Sequence, residues 1–568
     1  MQKKLNDYAL IVLLGLLFFL PYLGSVHLFD WDELNFAEAS REMLVTGDWL
    51  TVRIDYKPFH EKPPLFFWVQ AASMAAFGVN EFSARLPNAV IGIISLLVIF
   101  SIGKKLYSRK FGIIWVLCHI GSFFPNFYFR TGLIDPMFNL LIFLSILFLN
   151  EYFSKLILTE PNCQGKFIKK NSNILIAGIF CGFAVLTKGP VAWLLIILTL
   201  FLFFIVNRKK IKFPFHQIIV FSILAMLPSL IWYIAVWARN GGEIFIQFLS
   251  YQARLFSTED AGHGGPFYYH FIVLLFGCFP ASAFMFRGIP VHTGDTAEQT
   301  IFKQWLLLLL FIVLIVFSVV STKIVHYSSL AYFSITFLSA RAIYAMLESG
   351  LPRKKFPEWL VGIIGLLWAA GMALFPLALI NKEMLLPKIT DKFTHAIISS
   401  NVVWRGSEWL IGVLYFVAII ISLLYFSKRN LLNGILVLFG TTAISMFLFL
   451  VSIAPKIEQY TQGSAVEFYR SLIGKECYLY VLDGGNLKYG QYFYTQKPAH
   501  LSTINNKIFP GGDERQWLLE GRIDRPVYFI TTVKEIGKYD KYPQLVRLYD
   551  KGGLVFLLRE VQKSFKVK

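Results

Sequence analysis

The stretch YALIVLLGLLFFLPYLGSVHLFDWDELNFAEASREM, Tyr8 to Met43, decides how the rest of the chain is read. Its first half, Tyr8 to Leu23, is apolar almost throughout and follows Lys3 and Lys4, the pattern of a first membrane anchor. Its second half sets Asp30, Asp32, Glu33, Glu38 and Glu42 among aromatic and aliphatic residues, where lipid headgroups should begin. Ionisable groups are expensive at that depth, so some of these carboxylates are expected to have a role. The basic start and apolar middle also fit a signal peptide. No small-x-small cleavage site follows, so the segment is expected to stay as the first span.

The remainder of the chain supports the membrane reading. Of 568 residues, 56% are hydrophobic, 17% aromatic and only 16% charged, against about 25% charged in an average soluble protein. Phe alone occurs 56 times. The net charge of +19 does not point to nucleic acid, because Lys and Arg fall in short clusters between apolar runs. Lys104 to Lys110, Lys166 to Lys170, Arg208 to Lys212, Arg353 to Lys355 and Lys428-Arg429 are placed as cytoplasmic loops are. The five cysteines stand singly, with no disulfide or metal spacing.

A spanning helix needs about 20 mostly apolar residues. On that rule the sequence predicts about thirteen spans, near 8–26, 84–103, 111–128, 136–153, 174–187, 190–206, 216–237, 269–287, 304–320, 327–346, 359–380, 408–426 and 431–453. The pair joined at Thr187 to Pro190 is short enough to be a re-entrant hairpin. With Lys3-Lys4 inside, the alternation puts the basic clusters on the cytoplasmic side. It puts the loops 27–83 and 238–268 and the whole tail outside. The expected organisation is a transmembrane domain over 1–453 and an outer α/β domain over 454–568. In that tail "ECYLYVLDGG", "YGQYFYTQKPAHLS", "RPVYFITTV" and "GGLVFLLREV" read as short strands.

Several outer segments carry groups suited to chemistry. "DELNFAEASREMLVTGDW" reads as an amphipathic helix lying at the interface, with Asp32 and Glu33 as the chemical candidates. Glu38, Glu42 and Asp48 read as its wet face, and Asp30 has no assigned role. "YKPFHEKPPLFFW" fixes His60, Glu61 and Lys62 just before a helix that its prolines start. Asp135 precedes Pro136 where one span turns into the next, a place that also suits a helix cap. "STKIVHYSSLAYF" puts Lys323 and His326 at the outer end of a span, where a lysine either meets an anion or snorkels. Lys188 in "LTKGP" raises the same alternatives. "YQARLFSTEDAGHGGPFYYH", with Arg254 and Tyr268, reads as a mobile substrate loop. Trp31, Phe36, Trp49, Trp68, Tyr268 and Tyr269 are available to line sugar and prenyl sites, or to serve as interfacial belt residues.

The ordered set "DWDELNFAEASREM", "FHEKPPLFFW", "RTGLIDPMF", "LTKGP" and "STKIVHY" resembles the GT-C integral membrane glycosyltransferases. Within them it is most similar to the bacterial branch holding the lipid A aminoarabinose transferases and the relatives of protein O-mannosyltransferases. The resemblance runs over roughly residues 1–345. It implies a polytopic helical fold and transfer of a sugar from a polyprenyl-phosphate donor at the outer face of the bacterial inner membrane, with the C-terminal domain periplasmic. No nucleotide cofactor is implied, and the acceptor is a lipid such as lipid A, a glycan or a protein. By the same resemblance Asp32 is the catalytic carboxylate, Glu33 its neighbour in the motif and Asp135 the second acid of the site. Lys62 matches a lysine that contacts the donor phosphate; Lys323 is a further phosphate-binding candidate on its chemistry alone. Glu61 matches a position associated with a divalent metal, for which His326 is the candidate histidine ligand. Pro64 to Phe67 depart from the aminoarabinose branch, which leaves the sugar open.

The residues agree with that chemistry. Displacing a lipid phosphate from a sugar leaves a dianion for a lysine to stabilise, and a hydroxyl acceptor needs a carboxylate base. Direct attack predicts inversion at the anomeric carbon. A transporter or flippase for a lipid-linked precursor is the alternative, but its polar groups would sit at the midplane, often in repeated halves. A non-catalytic assembly subunit would not need Asp32, Lys62 and Asp135 together.

Overall fold

The apolar run after Lys4 forms helix α1 (Gln2–Phe19), and the chain then crosses to the outer loop without regular structure. The computed structural model describes residues 2–29, 31–158, 172–211, 214–258, 264–290, 294–348, 356–483, 487 and 489–561. Asp30, Cys163, Lys166 to Lys170 and Arg353 to Lys355 lie outside these residues. Each expected span coincides with a helix or a bent helix pair. Seven helices among the described residues are long and apolar enough to cross a membrane, and nine if each of two bent pairs is one span. The bends are 84° within Arg109–Ile120 plus Phe123–Arg130, and 107° within Tyr269–Gly277 plus Ala281–Gly288. The helices Asn173–Lys188 and Val191–Asn207 are apolar but shorter. This is a multi-pass membrane protein.

The outer loop folds into α2 (Asp32–Thr46), the two-residue strands β1 (Arg53–Ile54) and β2 (Lys57–Pro58), and α3 (Leu65–Phe77). Asp32 and Glu33 open α2, where carboxylates oppose the positive end of the helix dipole. Gly47 closes it at φ 66°, a conformation a side chain would strain. The span α4 (Glu81–Leu106) follows, then α5 (Arg109–Ile120), α6 (Phe123–Phe127) and α7 (Asp135–Leu158).

The wet interfacial face expected of α2 is not found. Glu38 is 0% and Glu42 1% exposed, and Asp48 is buried as well. The reason is tertiary: the tail packs beside Glu38 and Glu42, where Arg41 and Tyr56 both donate to the Lys497 carbonyl, while Asp48 is held by Arg53 and by Arg239 of the helix Phe215–Asn240. One apolar cluster joins Leu28, Leu34, Ala37 and Met74 of the outer loop to Val466, Phe468, Tyr469, Phe493, Ile530 and Phe556 of the tail. Burying a side chain of this size contributes roughly 1.5–3 kcal/mol, so the domain is firmly seated on the loop.

The tail carries a four-stranded sheet in the order β3-β4-β6-β5, built from Tyr478–Val481, Val527–Thr532, Val546–Lys551 and Leu554–Arg559. β3 and β4 are parallel, and the other pairs are antiparallel. Three of the four expected strand segments contain strands. "YGQYFYTQKPAHLS" instead gives the helix Gly490–Thr495 and the short turn Ala499–Leu501. Its aromatic residues pack inward from a helix: Phe493 and Tyr494 both join the core shared with the outer loop. β5 is an edge strand the sequence did not signal, because its residues are exposed on both faces and show no alternation. The described part of the expected mobile loop is also ordered differently, with Tyr251 and Arg254 on the helix Glu243–Ser257.

Candidate functional site

Asp32 and Asp135, the two acidic candidates for catalysis, each sit at the start of a helix. Asp32 opens α2, and Asp135 opens α7. Asp135 does not act as a simple cap: its Oδ1 takes the Lys188 ammonium at 2.5 Å. Its Oδ2 is buried with no hydrogen-bond partner among the described residues. Lys188 ends the helix Asn173–Lys188, where a cation suits the negative end of the helix dipole. Gly189, at φ 97°, turns the chain into the next helix. The "LTKGP" joint therefore delivers one ammonium to a buried carboxylate, and the ion-partner reading of Lys188 holds rather than snorkelling.

His326 lies in the turn after the helix Ala297–Val319 and stands between the acids. Its Nε2 is 3.4 Å from Asp32 Oδ2 and 3.7 Å from Asp135 Oδ2. Burial holds the imidazole below its ordinary value, and Asp135 opposes that while Lys188 adds to it. Lys62 faces the same space, with Nζ 3.9 Å from Glu61 Oε2 and 4.9 Å from the centre of the Tyr251 ring. Burial lowers its ammonium as well; Glu61, Asp32 and Asp135 oppose the shift, and Lys188 adds to it. The Arg254 guanidinium lies 5.2 Å from the same Tyr251 ring. An aromatic face thus gathers two cations at the rim.

These groups line one cavity of about 750 Å³. Asp32, Glu61, Lys62, Asp135, Lys188, Arg254 and His326 all contribute to its wall, as do Trp31 and Tyr327. Leu23, Val26, Phe127, Phe138, Ile324 and Leu450 give it a broad apolar side. The volume suits a sugar phosphate with the first part of a hydrocarbon chain.

Other expected residues are placed differently. Glu33 reaches the cavity wall, but both its oxygens are committed to Arg85, at 3.0 and 2.8 Å, and it also accepts from the amides of Phe29 and Gly132. It is a buried ion-pair partner, not a free base. Lys323 does not line the cavity. Its ammonium donates to the carbonyls of Phe317, Ser318 and Val320, which the helix Ala297–Val319 leaves without partners at its end. Tyr268 is exposed and stands outside the cavity wall. Phe36 is a core residue against Phe66 and Phe67, and Trp68 donates its indole N–H to the Trp49 carbonyl.

The residues do not gather as a metal site. Glu61 faces Lys62, and His326 faces two acids, one of which already holds Lys188. Among the described residues no group of three or more His, Cys, Asp or Glu is set to hold a metal. Two lysines in the same space would also repel a dication.

Arg85, Tyr251 and Tyr327 were not singled out from sequence. Arg85 lay inside an expected span, and the aromatic residues had no signal apart from the many others in the chain.

Residues 61–232 match the dolichyl-phosphate-mannose-protein mannosyltransferase family. The undecaprenyl phosphate-α-4-amino-4-deoxy-L-arabinose arabinosyl transferase of Pectobacterium carotovorum is 26% identical over 391 residues, covering 68% of this chain and 67% of that protein. Its namesake in Edwardsiella ictaluri is 28% identical over 284 residues, or 49% of each chain. The alignments therefore span from about half to about two thirds of these relatives' length. The crystal structure of ArnT from Cupriavidus metallidurans bound to undecaprenyl phosphate superposes with a TM-score of 0.74 at 16% identity, covering 97% of each chain. The chain thus has the fold of that protein over 97% of its length, a polytopic helical fold as the motif order led us to expect.

Proposed function

We propose that the protein is a glycosyltransferase that moves a sugar from a polyprenyl-phosphate donor to an acceptor at the outer face of the bacterial inner membrane, with its C-terminal domain in the periplasm. The observation that carries the reading is one cavity holding Asp32, Lys62, Asp135 and Lys188 beside an apolar wall. A transporter would need its polar groups near the midplane, whereas Asp32 and Asp135 stand at the N-terminal ends of their helices.

In the proposed reaction the acceptor oxygen attacks the anomeric carbon from the face opposite the lipid phosphate. The carbon–oxygen bond to phosphate breaks as the new bond forms, which inverts the configuration. Lys62 takes the charge that develops on the leaving phosphate, from a rim where Tyr251 and Arg254 help hold it. Asp32, the more accessible acid at 33% exposure, accepts the proton of a hydroxyl acceptor. Asp135, neutralised by Lys188, fixes the floor of the site. The names of the relatives suggest undecaprenyl phosphate-4-amino-4-deoxy-L-arabinose as the first donor to try. Lipid, glycan and protein acceptors are all compatible with the cavity.

The test supplies purified protein with labelled polyprenyl-phosphate sugars and cell-envelope lipids or proteins. Transfer by the wild type, with loss in Asp32→Asn and Asp135→Asn variants that still fold, supports the reading. Full activity in both variants, or no transfer from any such donor, overturns it.

A further inference from the structure

The segment that delivers Asp32 has no helix or strand of its own: from Leu20 to Phe29 its described residues are turns and coil. Where such a chain is buried, as at Leu23, Val26 and Leu28, each main-chain group must be satisfied individually. Arg85 takes the carbonyls of Leu23, Val26 and His27 at 3.1, 2.7 and 3.0 Å. Glu33 takes the amide of Phe29 at 2.9 Å. Leu28, fully buried and four residues before Asp32, is held differently. Its N–H donates to the Tyr494 hydroxyl at 2.7 Å, and its carbonyl accepts from Gln462 Nε2 at 2.8 Å. Both partners come from the tail, more than 430 residues away in sequence. The grip extends to either side, with His27 Nδ1 at 2.8 Å from Glu458 Oε1 and the Tyr489 ring edge-on to Trp31 at 5.1 Å. Trp31 itself lines the cavity.

We propose that the C-terminal domain takes part in the transfer reaction by positioning Asp32, with Tyr494 and Gln462 as the positioning residues that clamp both main-chain groups of Leu28. This inference rests on the activity proposed above. A misplacement of a reacting group by about 1 Å can cost about 100-fold in rate, and the tail holds both main-chain groups of Leu28 only four residues before Asp32 opens α2. The domain then needs no catalytic motif of its own, in keeping with its sequence.

The experiment uses the full-length protein with Tyr494→Phe and Gln462→Leu. Tyr478→Phe serves as a control: it also removes a buried tyrosine hydroxyl of the tail, bonded to Asp524 and Asn506, but stands in a separate core of the domain. Hydrogen exchange of peptides covering residues 26–34 reports the clamp without turnover. Undecaprenyl phosphate binding reports the donor site, and kcat against donor KM reports the reaction. Expected for Tyr494→Phe are exchange about tenfold faster in that segment, unchanged undecaprenyl phosphate binding, and kcat lowered about tenfold at unchanged KM. Gln462→Leu should match it, and the control should shift only the unfolding midpoint. Unchanged exchange and kcat in both variants overturns the inference, as does an equal loss of kcat in the control. If the wild type transfers no sugar, the proposed activity fails, and the exchange measurement still decides whether the clamp exists.

Discussion

Lys188 Nζ lies 2.5 Å from Asp135 Oδ1, so the second acid of the cavity is held by a lysine 53 residues further along the chain. The Asp135 side chain is 3% exposed, and its other oxygen has no hydrogen-bond partner among the described residues. Lys188→Met would leave a buried carboxylate with only His326, 3.7 Å from Oδ2, beside it. Breaking a buried pair from one side costs about 3–5 kcal/mol, so unfolding should occur at clearly lower denaturant. Transfer should fall at least about 100-fold. Lys188→Arg keeps the charge and should recover part of both. Wild-type turnover in Lys188→Met would show that the pair is not part of the site.

Lys62 is expected to act on donor binding. A hydrogen bond to a charged group contributes about 1.5–3 kcal/mol, which corresponds to roughly a tenfold to hundredfold change in Kd. Lys62→Gln should weaken undecaprenyl phosphate binding by that factor in a direct titration. The unfolding midpoint should hold or rise, because the wild-type ammonium is held down by burial. Equal binding by Lys62→Gln and wild type would remove Lys62 from the phosphate site.

Glu33 separates a structural acid from a catalytic one. Its 3.0 and 2.8 Å bonds to Arg85 are buried on both sides. Arg85→Met should therefore destabilise the protein by about 3–5 kcal/mol. The double variant Glu33→Leu, Arg85→Met should lose less than the sum of the single losses, since it leaves no lone charge. Chemical unfolding of the four proteins tests this. Additive losses would mean that the pair carries no coupling.

Glu42 gives a pH signature outside the membrane spans. Burial, reinforced by the neighbouring Glu38, pushes its carboxyl up from 4.5 to about 9. The folded state thus binds a proton that the unfolded state releases above about 4.5. Stability from this group is greatest below that value and is lost progressively as pH rises toward about 9. The unfolding midpoint of the wild type should decline across that window. Glu42→Gln, which keeps the shape and removes the titration, should flatten the decline. An identical pH slope in the variant would contradict the assignment.

Much of the site was legible because its chemistry is unusual for its surroundings. Asp32, Lys62 and Asp135 stood out as ionisable groups at the ends of apolar runs, and all three line the cavity. Lys323 stood out for the same reason, yet its ammonium only closes a helix end, because three orphaned carbonyls lay within reach. The two lysines look alike in sequence and differ in what the fold brings to them. Arg85 gave no signal, since a single arginine near the start of an expected span looks like an ordinary boundary residue.

The order of apolar runs and basic clusters by itself determined a multi-pass helical protein and where its helices run. Local periodicity and hydropathy suffice for that, because each span satisfies its own backbone and is set by about 20 consecutive residues. Only the tertiary structure decided which charges are wet. Glu38 and Glu42 read as a solvated face and are buried, and Leu28 is held by Tyr494 and Gln462 from the far end of the chain. The physical reason is that burial of a helix face depends on what packs against it, and here the covering domain is more than 400 residues away in sequence.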